Sequence, residues 1–327
     1  MKAVIPVAGM GTRLRPHTHT MPKALVQVAG KPILGHILDE IVPLGILDVV
    51  LVTGAMGERV KEYIAAAYPA LRPCYVHQEE TKGIGHALWL ARDCVDSGPT
   101  LIVLGDTVVT ADFRKLTAPG PTLLGVKAVP DPRLFGVVEV DGDRVVSLVE
   151  KPDSPPSDLA IVGLYSIAHT DLLMDCLDAL VTRDIRTKGE YQLTDALKMM
   201  LERGEEMRVF AVEGWHDCGR PETLLETNRF LLERSADGDV AIPGSIVIPP
   251  VSIDPTAAVV RSVIGPYASI AAGAVVVDSI VRDSILNADA KVEGSLLDRS
   301  LIGEHAVVRG NFQRLNVGDS SEIEIGG

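Results

Sequence analysis

Val4–Lys23 reads VIPVAGMGTRLRPHTHTMPK. Its opening run, Val4-Ile5-Pro6-Val7, has the apolar character of a parallel strand buried on both faces. The run passes into Ala8-Gly9-Met10-Gly11-Thr12-Arg13, a tight turn of mostly small residues. Its two glycines let backbone approach a bulky anion and take φ values that a Cβ resists. Arg13 and Lys23 then supply two cations, and Pro16 and Pro22 stiffen the chain between them. A strand, a glycine loop and two cations at the carboxyl end of a sheet form an arrangement suited to a nucleoside triphosphate.

Two phosphate-binding motifs are excluded. Gly9 and Gly11 begin a G-x-G, but Leu14 stands where the dinucleotide fingerprint needs its third glycine. That disfavours an NAD-dependent oxidoreductase. No G-x-x-x-x-G-K-[ST] loop occurs either.

With 327 residues, 46% hydrophobic and 23% charged, the chain is globular and long enough for two domains. A net charge of −13 argues against nucleic acid or an anionic membrane as partner, because both demand basic surface. No export signal and no apolar run of about 20 residues is visible, so a cytoplasmic location is expected. Cys74, Cys94, Cys176 and Cys218 lack C-x-x-C spacing and suggest neither a zinc site nor a disulfide framework.

Strand and helix alternate to about residue 105. Apolar residues at Ile33, Leu34, Ile37, Leu38 and Ile41 predict a helix, Asp48–Val52 a strand, and residues 57–68 a second helix. The expected fold is α/β: a Rossmann-like, mostly parallel sheet with helices on both faces. Ligands of such sheets bind beyond the carboxyl ends of the strands. Gln78 follows a short strand and offers a donor and an acceptor to a base edge, and Gly83 leaves room for the base against backbone. His86 reads as a helix-start residue. The strand Leu101–Leu104 leads through Gly105 to Asp106, a carboxylate placed to bind Mg²⁺ or, in the alternative reading, an N-cap or turn aspartate.

Gly9 to Thr18 as G-x-G-T-R-L-x-P-x-T, followed by Pro22-Lys23, resembles the signature of the sugar-1-phosphate nucleotidyltransferases. The nearest type is the glucose-1-phosphate thymidylyltransferases with a C-terminal β-helix. The resemblance implies nucleotide binding by Ala8, Gly9, Gly11, Thr12, Gln78 and Gly83, and magnesium on Asp106. It adds Asp217, within Trp215-His216-Asp217-Cys218-Gly219 (W-x-D-x-G), as a second metal carboxylate. Beyond the hairpin predicted around Asp141-Gly142-Asp143 it gives the sugar hydroxyls to Glu150 and the sugar phosphate to Lys151, with Gly136 and Tyr165 lining the pocket. Arg13, Lys23, Asp106, Lys151 and Asp217 would thus carry catalysis, with Mg²⁺ as cofactor and a nucleoside triphosphate and a sugar 1-phosphate as substrates. The segment Glu190–Asp195 also resembles a family segment and reads as mainly structural.

From Ile242 a six-residue rhythm replaces helical periodicity. Ile253, Ile264, Ile270, Leu286 and Ile302 each have an alanine four residues on, and Val259, Val276, Val292 and Val308 recur beside them. This resembles the hexapeptide repeat of a left-handed parallel β-helix. Residues 1–238 are therefore expected to form the catalytic domain and 239–327 a β-helix of about three to four coils. Flat apolar coil faces and exposed ends imply a homo-oligomer.

The resemblance favours dTTP with glucose 1-phosphate. Met10 departs from the thymidylyltransferase pattern, which usually has a second glycine there. Ile5–Gly9 and Gly83-Ile84-Gly85-His86-Ala87 lean toward the glucose-1-phosphate uridylyltransferases and UTP, whereas Arg13–Thr20 and the β-helix lean back to the thymidylyl type. Two rivals are a bifunctional enzyme with an acyltransferase β-helix, disfavoured by the few coils and by His305 as the helix's only histidine, and a regulatory subunit of the same fold, disfavoured by the full set of charged residues.

Overall fold

A computed structural model describes residues 1–235 and 241–310. The chain divides into two compact units, Met1–Thr227 and Asn228–Gly327. The expected boundary at 238/239 lies outside the described residues.

The first unit is built on one nine-stranded sheet. Its strands are β1 (Lys2–Pro6), β2 (Asp48–Thr53), β3 (Arg72–His77), β4 (Thr100–Val103), β5 (Thr122–Ala128), β6 (Gly136–Asp141), β7 (Arg144–Glu150), β8 (Leu159–Ile167) and β9 (Met207–Ala211). They lie in the order β3-β2-β1-β4-β8-β5-β9-β7-β6. Strands β1 to β4 are mutually parallel, as are β5 and β9. Strand β8 runs antiparallel between β4 and β5, and β7 antiparallel to β9 and β6. Seven of the nine strands thus share one direction, as expected of a mostly parallel sheet, and two, β8 and β7, are reversed inside it. Ala3–Ile5, Val49–Val52 and Leu101–Val103 are almost fully buried, which is why these strands read as continuous apolar runs.

Helices α1 (Ile33–Ile41), α2 (Gly57–Ala67), α3 (Ile84–Leu90), α4 (Thr170–Thr182) and α5 (Leu193–Glu202) accompany it, and the division between the units falls within α6 (Pro221–Arg234). Ile33, Leu34, Ile37, Leu38 and Ile41, the residues whose spacing predicts α1, are all buried. The predicted hairpin is β6–β7, turning at Gly142 with φ +64°. Leu173, Cys176, Leu177 and Leu180 of α4 and Leu193, Ala196, Leu197 and Met200 of α5 join a core that reaches Ile102 and Tyr165 of the sheet. Because β1, β3 and β4 are parallel, the loop after β1, Gln78 after β3 and Asp106 beyond β4 emerge at one edge.

One sequence expectation is corrected. Cys74 and Cys94 are joined in a disulfide that closes 20 residues of chain, including Gln78–Ala87, with Cα atoms 6.4 Å apart. Nothing in their spacing signals it; β3 and the turn after α3 bring them together. Cys176 and Cys218 are free and buried.

Among the described residues of the second unit, three parallel sheets of four short strands each make four coils of a left-handed β-helix. Ile264, Ala268, Ile270, Ala274, Val276, Leu286, Ala290 and Val292 form its core, so the hexapeptide positions are the inward ones. Along one outer face Ile246, Val263, Ile280 and Leu296 stack in register, and three of them, Ile246, Ile280 and Leu296, are exposed. Elsewhere Asn228 of α6 donates to the Tyr267 carbonyl (3.0 Å) and accepts from Ser269 Oγ (2.7 Å). Arg229 binds Asp283 through two bonds of 2.8 and 2.6 Å. Among the described residues no helix is long and apolar enough to cross a membrane.

Candidate active site

The loop after β1 is held by short-range bonds. Gly11 has φ +57°, its carbonyl accepts from Thr18 Oγ1 (2.7 Å) and Leu14 N–H (2.9 Å), and Leu14 is fully buried. The residue that breaks the dinucleotide fingerprint is therefore a core anchor. Thr12 and Arg13 are exposed, whereas Lys23 is 7% exposed.

Asp106 and Asp217 lie far apart in sequence, and a two-stranded ladder brings them together. Thr107–Thr110 pairs antiparallel with Gly214–Asp217, so that Asp217 faces Thr107. The Cys218 N–H then donates to the Asp106 carbonyl at 3.2 Å. Lys23 Nζ lies 2.9 Å from Asp106 Oδ2 and 3.8 Å from Asp217 Oδ1. Burial pushes the neighbouring Cys218 thiol up to about 12, so it offers no thiolate nucleophile.

Two carboxylates around one ammonium leave a local charge of −1. Both carboxylates are nearly half exposed. Their hard oxygens suit Mg²⁺, the Lys23 ammonium already occupies a cation's place between them, and their charge can neutralise a divalent ion. Among the described residues no cluster of three or more metal-ligating side chains occurs, so phosphate oxygens and water would have to complete the coordination.

Lys23 and Asp106, but not Asp217, line a cleft of about 230 Å³ together with Ala8, Gly9, Gln78, Thr81, Gly83 and Glu190 among others. Gly11, Thr12 and Arg13 do not line it, and Arg13 has no ion pair among the described residues. Gln78 is 4% exposed; its N–H donates to the Thr53 carbonyl (2.8 Å) and its amide nitrogen donates to His86 Nδ1 (3.0 Å). His86 lies in the first turn of α3, as expected.

Gly83 does more than leave space. A Cβ there would meet the Tyr191 carbonyl oxygen at 2.5 Å, and its φ is +103°. Around it the Tyr191 N–H donates to the Lys82 carbonyl (2.9 Å) and the Gly85 N–H to the Tyr191 carbonyl (2.8 Å). The segment read as mainly structural thus clamps the loop beside Gln78, and its Glu190 lines the cleft. Sequence reasoning passes over Glu190 and Tyr191; the paired glycines at 83 and 85 were the available sign that another backbone runs close by.

A second group gathers round Glu150 and does not line that cleft. Glu150 faces Gly136 across the β6–β7 hairpin. Its carboxylate, 8% exposed, accepts from Thr194 Oγ1 (2.6 Å) and lies 3.5 Å from Lys151 Nζ. Thr194, whose role was also missed, comes from the same segment, read from sequence as mainly structural. Lys151 adopts φ +42°, the backbone departure often found where a side chain must be held for use. Tyr165 is buried in β8, and burial, then the Glu150 charge, raises its hydroxyl pKa.

Residues 2–234 match the nucleotidyl transferase family model. A glucose-1-phosphate thymidylyltransferase from Streptomyces griseus is 34% identical over 99% of both chains. A UTP–glucose-1-phosphate uridylyltransferase, AglF, from Haloferax volcanii is 32% identical over 72% of this chain and 98% of its own. A solved Bacillus anthracis structure described as a putative glucose-1-phosphate thymidylyltransferase superposes with a TM-score of 0.62 at 25% identity, covering 73% of this chain and 98% of that one.

Proposed function

The chain belongs to the nucleotidyl transferase family, and on that premise we propose that it joins dTTP to glucose 1-phosphate, forming dTDP-glucose and pyrophosphate. The coarser statement, an enzyme that is a sugar-1-phosphate nucleotidyltransferase, follows from its relatives. The carrying observation is the convergence of Asp106 and Asp217 on Lys23 at the edge of the Gln78 cleft.

In this reading the base lies against Gln78 and Gly83, and the triphosphate follows Ala8–Thr12 toward Lys23. Arg13, free of ion pairs among the described residues, neutralises the outer phosphates. Glu150, Tyr165 and Gly136 hold the sugar. Lys151 aligns its phosphate, a role suited to a point charge on a flexible stem. A phosphate oxygen of the sugar 1-phosphate forms a bond to the α-phosphorus while the bond from that phosphorus to the pyrophosphate oxygen breaks, and pyrophosphate leaves. Such chemistry needs positioning and charge stabilisation, not a covalent nucleophile. Mg²⁺ held by Asp106 and Asp217 would supply charge neutralisation of the phosphates.

UTP is the second reading, supported by the uridylyltransferase relative and by the Gly83-Ile84-Gly85-His86-Ala87 segment. Pyrophosphate release with Mg²⁺, crossing dTTP, UTP, GTP, CTP and ATP with glucose, mannose, galactose and N-acetylglucosamine 1-phosphates, tests both. A dTTP and glucose 1-phosphate maximum is expected; a UTP maximum reverses the base assignment, and silence throughout refutes the enzyme reading. The homo-oligomer belongs to the same proposal, supported by the exposed Ile246, Ile280 and Leu296 ladder. Sedimentation velocity should show a species of at least two chains, and a monomer at micromolar concentration would remove it.

A further inference from the structure

We infer that His86 is a positioning residue for base selection: by accepting a hydrogen bond from the Gln78 amide it fixes which end of that amide meets the base, and so admits uracil and thymine over cytosine. The inference rests on the proposed nucleotidyl transfer.

A primary amide can sit in its pocket in two orientations differing only in the exchange of oxygen and nitrogen. Gln78 Nε2 can only donate, so at 3.0 Å from His86 Nδ1 it makes that nitrogen an acceptor and puts the ring proton on Nε2. The imidazole is itself held. It stacks with Trp89, at 5.9 Å and 23°, and with Tyr191, at 6.0 Å and 28°. Tyr191 in turn is anchored by Asp184, which accepts from its hydroxyl (2.5 Å), and by Arg186. With one amide N–H committed to His86, Gln78 keeps Oε1 and its second N–H for a base. An oxygen at that place accepts the N3–H of uracil or thymine, with the N–H meeting a flanking carbonyl. Cytosine presents an acceptor at N3 and an amino group beside it, so it meets the pinned amide with the wrong polarity. Its best pairing needs the amide turned over, which costs the bond to His86. A mismatch of that kind leaves a buried polar group unpaired, and discrimination of about ten- to a hundredfold follows.

The arrangement carries its own titration. A proton on Nδ1 removes the acceptor and turns His86 into a donor toward Gln78. Burial first, then the charges of Lys82 and Arg186, against the opposing charge of Glu80, lower the His86 pKa below its usual 6.5. The neutral, accepting ring is therefore dominant at neutral pH and is lost only as pH falls beneath that value.

The test measures kcat/KM for UTP, dTTP and CTP with glucose 1-phosphate, in the full chain, for His86→Phe and His86→Asn. Phenylalanine keeps the ring stack and removes the acceptor; asparagine places an oxygen where Nδ1 stood. For His86→Phe the ratio of UTP or dTTP over CTP should fall about tenfold or more, mainly through KM for the favoured nucleotide, and the fall should be restored largely by His86→Asn. The wild-type ratio should stay level above about pH 6.5 and decline below it, with the decline absent in His86→Phe. A ratio unchanged in a folded, active His86→Phe, or a wild-type ratio that already falls as pH drops from about 8 to about 6.5, overturns the inference. Should His86→Phe not fold, the wild-type pH profile still decides. Wild-type silence with every nucleotide refutes the proposed function instead, so the two failures are distinct.

Discussion

Asp106→Asn will lower turnover about a thousandfold or more while leaving the fold in place, the scale seen when a preorganised charge at a phosphoryl or acyl centre is removed. The asparagine side chain keeps the shape of aspartate and an oxygen to accept from Lys23 or Thr107, which now lie 2.9 and 3.2 Å from the two carboxylate oxygens. The carboxylate is nearly half exposed. The ion pair therefore contributes no more than about 1 kcal/mol to folding, and Tm should move by at most about 2–4 °C. What changes is the charge around Lys23, from −1 to neutral. That favours the approach of a bare triphosphate and weakens the hold on a divalent cation. The expected signature is a split: nucleotide binding without added metal equal to or tighter than wild type, and pyrophosphate release nearly lost at any Mg²⁺ concentration. Turnover within about tenfold of wild type would remove Asp106 from the metal and from the chemistry. Loss of both nucleotide binding and secondary structure would mark it as a folding residue.

Whether a site residue is legible in the sequence depends on how far away its partner lies. Helix α1 is readable because Ile33, Leu34, Ile37, Leu38 and Ile41 carry the helical period and all turn inward. The β-helix is readable because each coil repeats the same inward aliphatic and alanine positions. The motif residues of the opening loop lie close together in sequence, so Gly9, Gly11 and Lys23 announce themselves. Asp217 does not: its meeting with Asp106 depends on a short ladder between strands widely separated in the chain, and only family resemblance points to it. Strand β8 is apolar almost throughout, which predicts burial but not that it enters the sheet reversed between β4 and β5. Glu190 and Tyr191 stand just before α5 and Thr194 in its first turn, where helical periodicity reports burial and not partners, and what they do is visible only once Glu150 and Gly83 are beside them. The Cys74–Cys94 bridge has no sequence signal at all, since two lone cysteines 20 residues apart are as compatible with free thiols.

Gly83→Ala should raise KM for the nucleotide about tenfold or more and lower Tm by about 5–15 °C, because the new methyl group has nowhere to go. At φ +103° and ψ 170° the backbone is in a region that only glycine occupies comfortably, a strain of about 1–3 kcal/mol for alanine. The steric term adds to it. The Cβ would stand 2.5 Å from the Tyr191 carbonyl oxygen and 3.0 Å from the Tyr191 nitrogen. Both are backbone atoms, so no rotamer change relieves the contact. Separation of the two segments stretches the bonds from Tyr191 to Lys82 and from Gly85 to Tyr191, each contributing about 1 kcal/mol. The total of about 2–5 kcal/mol corresponds to the stated range in Tm. The displaced residues flank Gln78 and His86, so the damage should concentrate in nucleotide affinity, with a smaller rise in KM for the sugar phosphate because the Tyr191 segment continues into Thr194, which holds Glu150. Gly142→Ala provides the control. Gly142 also has positive φ, at +64°, but a Cβ there meets nothing within 4 Å, and it turns a hairpin away from the cleft. That variant should show the strain alone: a small loss of Tm and an unaltered KM for the nucleotide. If both variants raised nucleotide KM equally, the effect would be general loosening of the chain. If Gly83→Ala left it unchanged, the clamp between Tyr191 and the base loop would have no part in binding.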